Sequence, residues 1–109
     1  MEQISVDEFK KVEIRVGEIK SAEKVADTEK LLRLVVNFGD EERQVISGIA
    51  EFFSDPGMLV GKRYPFVTNL ESRAIRGFES QAMILATGGE VDKPLSLFET
   101  DAAPGSRVR

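Results

Sequence analysis

Apolar and polar residues alternate along several stretches of this 109-residue chain, as they do in β-strands that bury one face. The alternation predicts five strands and a shorter sixth, at residues 12–23, 31–38, 43–47, 62–68, 81–87 and 95–98. A turn at residues 39–42 joins the second and third strands as a hairpin. Gly17 lies inside the first strand, where a glycine indicates a bulge or the sharp bend that a small barrel needs.

Two short helices interrupt the strands. Ser5 and Glu8 have the spacing of a capping box, which predicts a helix that ends near Lys11. We expect this helix to cover one end of a barrel. The apolar residues of 49–53 change to helical spacing, and this change predicts a second helix after the third strand.

Three strands, a helix and two strands follow each other in the order of the OB-fold, a five-stranded barrel that often binds oligonucleotides. We therefore predict an all-β OB-fold with a short N-terminal helix, an inter-strand helix and a C-terminal extension. The length corresponds to a single domain, residues 1–109, and the sequence has no internal repeat and no linker.

The amino-acid composition limits the kinds of catalytic and metal-binding site that this chain can form. The chain contains neither cysteine nor histidine, which excludes disulfides, thiolate or imidazole metal sites and Ser-His-Asp triads. The acidic residues 40–42 are interpreted as a solvated turn. Because no acid–base or nucleophile pair stands out, we predict a non-catalytic domain without a metal or cofactor. The chain also lacks a signal-peptide pattern and any apolar run long enough to span a bilayer, so we expect a cytoplasmic protein that does not bind membranes.

The charge distribution is uneven. The net charge is -4, with a pI of about 4.9, whereas nucleic-acid binders are more often basic. Between residues 62 and 76, however, four basic residues stand against a single glutamate. A local basic patch can dominate binding even when the whole chain is acidic.

A polar loop is predicted between Asn69 and Gln81, and it contains Arg73 and Arg76. The two arginines suit contact with phosphates and stacking on bases, or they belong to a solvated surface. Met83, at the start of the next strand, is either a core residue or part of the same site.

Seven short stretches spread over the chain carry a family resemblance. They are residues 9–17, 29–32, 43–49, 60–62, 69–70, 76–77 and 80–86. In this order and at nearly this spacing, they resemble the tRNA-binding domain at the C-terminus of many methionyl-tRNA synthetases. The same domain also exists as a free-standing, structure-specific tRNA-binding protein. As a set these stretches are highly specific, although no single one of them is.

The resemblance implies a non-catalytic OB-fold that binds the outer corner of the tRNA without reading an anticodon, and that assists a methionyl-type synthetase in trans or as a subunit. It places RNA-contacting residues at Lys30, Arg43, Asn69, Arg76, Ser80 and Met83. Arg33 edges the same predicted groove and Arg73 lies in the same loop, so we add both to the predicted tRNA-binding site.

Several positions depart from the family pattern. The segment Val25–Asp27 lacks the usual His-Pro, and Ala82 replaces a usual glycine. Glu71 and Ala74 occupy a loop that is usually rich in lysine. Fewer lysines predict fewer phosphate contacts and a smaller salt dependence of binding.

The resemblance also implies a homodimer that pairs through the terminal segments. Apolar residues outside the five main strands could form this contact, or they could only seal the barrel: Val6, Phe9, Leu95, Leu97 and Phe98. The alternative function is a chaperone-like, protein-binding module on the same barrel, because a protein-export chaperone shares this fold and the acidic balance suits such a role.

Overall fold

A curled sheet forms the body of the molecule in the computed structural model, which describes all 109 residues. The strands are β1 (Ile14–Lys24), β2 (Leu32–Asn37), β3 (Glu42–Ser47), β4 (Arg63–Val67), β5 (Arg73–Ile75), β6 (Phe78–Ser80), β7 (Met83–Ile84), β8 (Ala86–Thr87), β9 (Ser96–Leu97) and β10 (Arg107–Val108). The main sheet has the order β3-β2-β1-β4-β7, and β10 is added to β1. This architecture confirms the predicted all-β OB-fold.

Strand β1 organises the sheet because it has three antiparallel partners. It pairs with β4 from Ile14 to Glu18, with β2 from Glu18 to Lys24, and with β10 near its start. The register shifts between Ile19 and Ser21, so the bulge lies there and not at Gly17 as predicted.

Gly17 has a different role, which is to let β1 lie close to the core. A Cβ atom at this position would be 2.4 Å from Cγ1 of Val36 and 2.8 Å from Cε1 of Phe38. The glycine that interrupts the alternation is therefore explained by this close packing of β1 on the core.

The core fills the interior of the curled sheet. Strand β2 alternates strictly between buried and half-buried residues, as its sequence predicts. Phe38 and Phe66 pack edge to face, with ring centroids 5.4 Å apart. The core cluster consists of Ile19, Leu32, Leu34, Val36, Phe38, Val45, Ile49, Ala50, Leu59, Tyr64, Phe66 and Ile84.

The helical segments are shorter than predicted. Helix α1 (Val6–Phe9) has the predicted capping box at Ser5, but none of its residues is buried, so the prediction that it covers a barrel end is wrong. The predicted inter-strand helix is a single 3-10 turn (Ala50–Phe52), and a second 3-10 turn follows at Pro56–Leu59. Buried Leu59 from the second turn joins the core.

The C-terminal third also differs in detail. The predicted loop 69–81 contains the hairpin β5–β6, and the predicted strand 81–87 is divided into β7 and β8. The division arises because β7 pairs with β4 whereas β8 pairs with β9. No helix has the length and apolar character that a membrane span requires.

Candidate nucleic-acid interface

The hairpin β5–β6 is the element that presents two of the predicted arginines. Its strands pair in the register Arg73↔Ser80 and Ile75↔Phe78, with Arg76 and Gly77 between them. These two residues have φ values of +53° and +83°, as a two-residue turn of the type I′ class requires. Arg76 therefore lies at the tip of the hairpin, and Arg73 lies at its base.

Side chains from β6 and the residue after it fasten the hairpin to β3. The backbone N–H of Ile46 donates to Oγ of Ser80 at 3.0 Å, so the buried Ser80 replaces a strand partner. Gln81 exchanges two bonds with Gln44: its N–H donates to the Gln44 carbonyl (2.9 Å), and its side-chain oxygen accepts from the Gln44 N–H (3.0 Å). These contacts close the barrel and fix the position of the hairpin.

A cleft opens between the hairpin, the loop before it and β7. It has a volume of about 430 Å³ and is lined by Leu70, Glu71, Ser72, Arg73, Ser80, Ala82 and Met83. Two apolar side chains in this cleft face solvent, with Leu70 51% and Met83 43% exposed. Met83 is thus a surface residue, and its interpretation as a core residue is wrong.

Arg33 and Arg43 are held by contacts within the chain. Arg33 donates to Oε1 of Gln44 at 2.7 Å, forms an ion pair with Glu23 at 2.9 Å and lies over the ring of Phe78. Arg43 forms an ion pair with Glu41 and donates to two backbone carbonyls, at Thr68 and Gln81. Each guanidinium therefore ties together separate parts of the barrel.

Asn69 connects the end of β4 to the segment that precedes β1. Its side-chain oxygen accepts from the Glu13 N–H at 2.8 Å, and its side-chain nitrogen donates to the Lys11 carbonyl at 2.6 Å. The amide thus makes a pair of backbone contacts like that of a neighbouring strand. Its direct structural task is to hold residues 11–13 in place.

A charged network surrounds Arg15 at one rim of the barrel. Arg15 lies over the Phe38 ring and forms ion pairs with Glu13 (3.2 Å) and Asp40 (3.3 Å). The Thr68 hydroxyl donates to Glu13 at 2.6 Å. This bond, aided by the positive charge of Arg15, holds the pKa of the Glu13 carboxyl below its usual value, against the opposing effect of partial burial. The acidic turn thus neutralises a cation of the rim.

Three of the predicted cations remain free to meet a ligand. Arg73, Arg76 and Lys30 are exposed, and none of them forms an ion pair within the chain. The structure brings Arg73, Ser80 and Met83 together in the cleft and places Arg76 on the same hairpin. Lys30 lies on the separate connection between β1 and β2.

Leu70, Glu71, Ser72 and Ala82 line the cleft but are absent from the predicted site. The sequence could have indicated Leu70 as a site residue, because it is a large apolar residue directly after a strand and inside a polar loop. No group of three or more Asp and Glu side chains is arranged to hold a metal ion.

Comparison with known proteins adds independent observations. The family model described as "Putative tRNA binding domain" matches residues 14–107. The methionine–tRNA ligase of Archaeoglobus fulgidus is 41% identical over 107 residues, which cover 98% of this chain and 16% of that protein. This chain therefore spans about a sixth of the length of that ligase.

Solved structures share the whole fold. A MetRS-related protein from Pyrococcus horikoshii matches with a TM-score of 0.92 and 40% identity, and both chains are covered completely. The chaperone CsaA of Bacillus anthracis matches with a TM-score of 0.86 over 99% of this chain and 100% of that one. Its identity of 21% makes this a similarity of fold.

Proposed function

Because the chain belongs to the tRNA-binding domain family, we propose that it binds tRNA by shape, catalyses nothing itself and assists a methionyl-type synthetase in trans or as a subunit. The observation that carries the proposal is the cleft beside the hairpin β5–β6. There, a free arginine and two exposed apolar side chains lie on a framework that hydrogen bonds hold in place.

Each part of the hairpin has a chemical task in this proposal. Arg73 and Arg76 contact phosphates, since a guanidinium offers several donors in a fixed plane and neither of these two forms an ion pair within the chain. Met83 packs against a base in the cleft, as the polarisable thioether of methionine does on aromatic rings. Lys30 adds a further phosphate contact from its own loop.

The other predicted residues act by positioning. Arg43, Asn69 and Ser80 use their polar groups to close the barrel and to hold the loop before the hairpin. Arg33 supports the hairpin through Gln44 and Phe78. We expect their loss to weaken tRNA binding by displacing the hairpin, in addition to any direct contact that they make.

We expect tRNA to bind more tightly than a linear RNA duplex, with a salt dependence of about -2 to -4 in log K against log salt. A few free cations account for such a small slope. Filter binding or fluorescence anisotropy between 50 and 200 mM salt, as a rough working range, measures both quantities. Equal affinity for tRNA and duplex would contradict recognition by shape.

The second candidate function is a chaperone-like, protein-binding module. The fold similarity to the CsaA chaperone and the acidic net charge favour it. An unfolded polypeptide in the same binding assay separates the two functions. If the unfolded chain binds while tRNA does not bind even at low salt, the chaperone function replaces the tRNA function.

The free-standing arrangement that we propose is a homodimer formed by the terminal segments. Helix α1 and β10 border a groove of about 440 Å³ whose apolar lining includes Val6, Phe9, Val12 and Val108. All four side chains are exposed. A two-fold contact would cover this patch on both copies at once. Leu95 and Leu97 instead pack against the core and seal the barrel.

We expect sedimentation at micromolar concentration to give twice the chain mass of 12.1 kDa. A stable pair should bury at least roughly 1,000 Å² in total. Val6→Asp should produce a folded monomer, because aspartate suits the first turn of a helix but not an apolar interface. Val91→Asp, at an exposed position away from the groove, is the matched control and should remain dimeric. A wild-type species near 12.1 kDa would rule out the dimer.

A further inference from the structure

The cleft beside the hairpin contains one side chain that binding to phosphates does not explain. Glu71 lines the cleft two residues before Arg73, and it forms no ion pair or hydrogen bond within the chain. A carboxylate repels the RNA backbone, yet this one lines the same cleft as Arg73 and the exposed apolar side chains. It is exposed, so its oxygens are free to accept hydrogen bonds from a ligand group that donates them.

The backbone beside Glu71 is equally available. The N–H groups of Leu70, Glu71 and Ser72 donate no hydrogen bond to any backbone or side-chain acceptor of the protein. These three residues are exposed along the edge of the cleft, and the next residue, Arg73, begins β5. The edge of the cleft therefore presents three free backbone N–H donors next to the free carboxylate of Glu71.

The floor of the cleft suits a flat, apolar face. Leu70 and Met83 expose about half of their side chains there, and thioether sulfur packs well against aromatic rings. The volume of about 430 Å³ falls in the range of small-ligand sites. An unstacked RNA base has an aromatic face for this floor and an edge that can reach the carboxylate.

Among the four RNA bases, guanine fits the carboxylate best. Its Watson–Crick edge places two donors side by side, N1–H and N2–H, which can meet the two oxygens of one carboxylate. Adenine, cytosine and uracil each present an acceptor next to their donor, and that acceptor would face the negative charge. We infer that this cleft binds an unpaired guanine base of the RNA, with Glu71 as the residue that selects it.

This inference rests on the proposed function and refines it. Arg73 would hold the phosphate of the selected nucleotide, Met83 and Leu70 would pack on the base, and Glu71 would read the edge. The carboxylate lowers affinity for RNA in general but raises it for one base. On this inference Glu71 contributes specificity for a base, although its charge does not contribute to phosphate binding.

The test is a titration of isotope-labelled protein with guanosine, inosine and adenosine 5′-monophosphates, followed by the NMR shifts of the Met83 methyl group and the amides of residues 70–72. Guanosine monophosphate should bind at least about fivefold more tightly than the adenosine nucleotide, near the lower end of what a two-bond contact provides. Inosine monophosphate, which keeps N1–H but lacks the N2 amine, should lie between them.

The substitution Glu71→Gln distinguishes selection from simple repulsion. If Glu71 selects guanine, the variant should lose the preference and bind guanosine monophosphate less well, while its affinity for adenosine monophosphate stays equal or rises. If Glu71 is only a solvated charge, the affinities for all three nucleotides should rise together, and the inference is wrong. Glu79→Gln removes the same charge from the same hairpin outside the cleft, so it should leave the preference intact.

The same proteins are titrated with bulk tRNA so that the two proposals can fail separately. If tRNA binds but the nucleotides show no base preference or do not shift the cleft signals, only the guanine inference is overturned. If tRNA does not bind at all, the proposed function falls, and the inference that rests on it falls too.

Discussion

Gly17→Ala should lower the stability of the domain by about 1–3 kcal/mol, the usual cost of forcing extra atoms into a packed core. The new methyl group would lie 2.4 Å from Val36 and 2.8 Å from Phe38, which are both almost completely buried. These neighbours cannot move into solvent, and Phe38 is also packed against Phe66. Urea unfolding followed by circular dichroism measures the change in the free energy of unfolding. In thermal unfolding, each kcal/mol of lost stability should lower Tm by about 4–8 °C.

Gly48→Ala is the matched control, since a Cβ at Gly48 would meet nothing within 4 Å. We expect this variant to be neutral or slightly more stable, because alanine reduces the freedom of the unfolded chain. At a temperature where it is folded, Gly17→Ala should bind tRNA like the wild type, since Gly17 does not line the cleft. Equal stability of both variants would contradict the close packing of β1 on the core.

The sequence predicts best those elements whose pattern has a local physical cause. Strand β2 alternates because one of its faces is packed against the core, and the structure reproduces the predicted strand to within one residue at each end. The capping box of α1 forms between residues three apart, so both partners are visible in the sequence. The order of the elements then sufficed to predict the OB-fold.

Other features depend on partners that the local sequence does not contain. The hairpin β5–β6 has two strands of three residues and a turn in which Arg76, rather than the usual glycine or asparagine, has a positive φ. Because this local signal is weak, the sequence pattern predicts a loop there. The bulge near Lys20 likewise depends on how β1 changes partners, and a glycine three positions earlier suggested the wrong place.

Roles of polar residues were the hardest to predict. Arg43 donates to a carbonyl 25 positions away in the sequence, Ser80 bonds the backbone of one residue 34 positions away, and Asn69 donates to a carbonyl 58 positions away. Residue type alone cannot distinguish such internal contacts from contacts with a ligand. The structure shows only which side chains already have partners in the chain: Arg33 and Arg43 have several, whereas Arg73 and Arg76 have none, so the proposed phosphate contacts fall on the latter two.

The double substitution Arg73→Ala, Arg76→Ala should reduce affinity for tRNA at least tenfold. A lost hydrogen bond to a charged group costs about 1.5–3 kcal/mol and a tenfold change is about 1.4 kcal/mol, so the loss of a single such contact already suffices. The slope of log K against log salt should also fall by about two units, one for each lost phosphate contact. Anisotropy titrations at several salt concentrations measure both quantities.

Neither arginine supports the fold, since both are exposed and unpaired, so the double variant should unfold at the wild-type temperature. Lys62→Ala with Lys93→Ala removes the same charge from two lysines that pair with glutamates outside the cleft, and it should change affinity far less.

Arg73→Lys with Arg76→Lys keeps the charge but loses the planar donor group, so it should keep the salt slope while losing part of the affinity. If the double alanine variant is folded and binds tRNA as tightly as the wild type, the hairpin is not part of the tRNA site. In that case Lys30 and the strand face beside it become the candidate tRNA contacts.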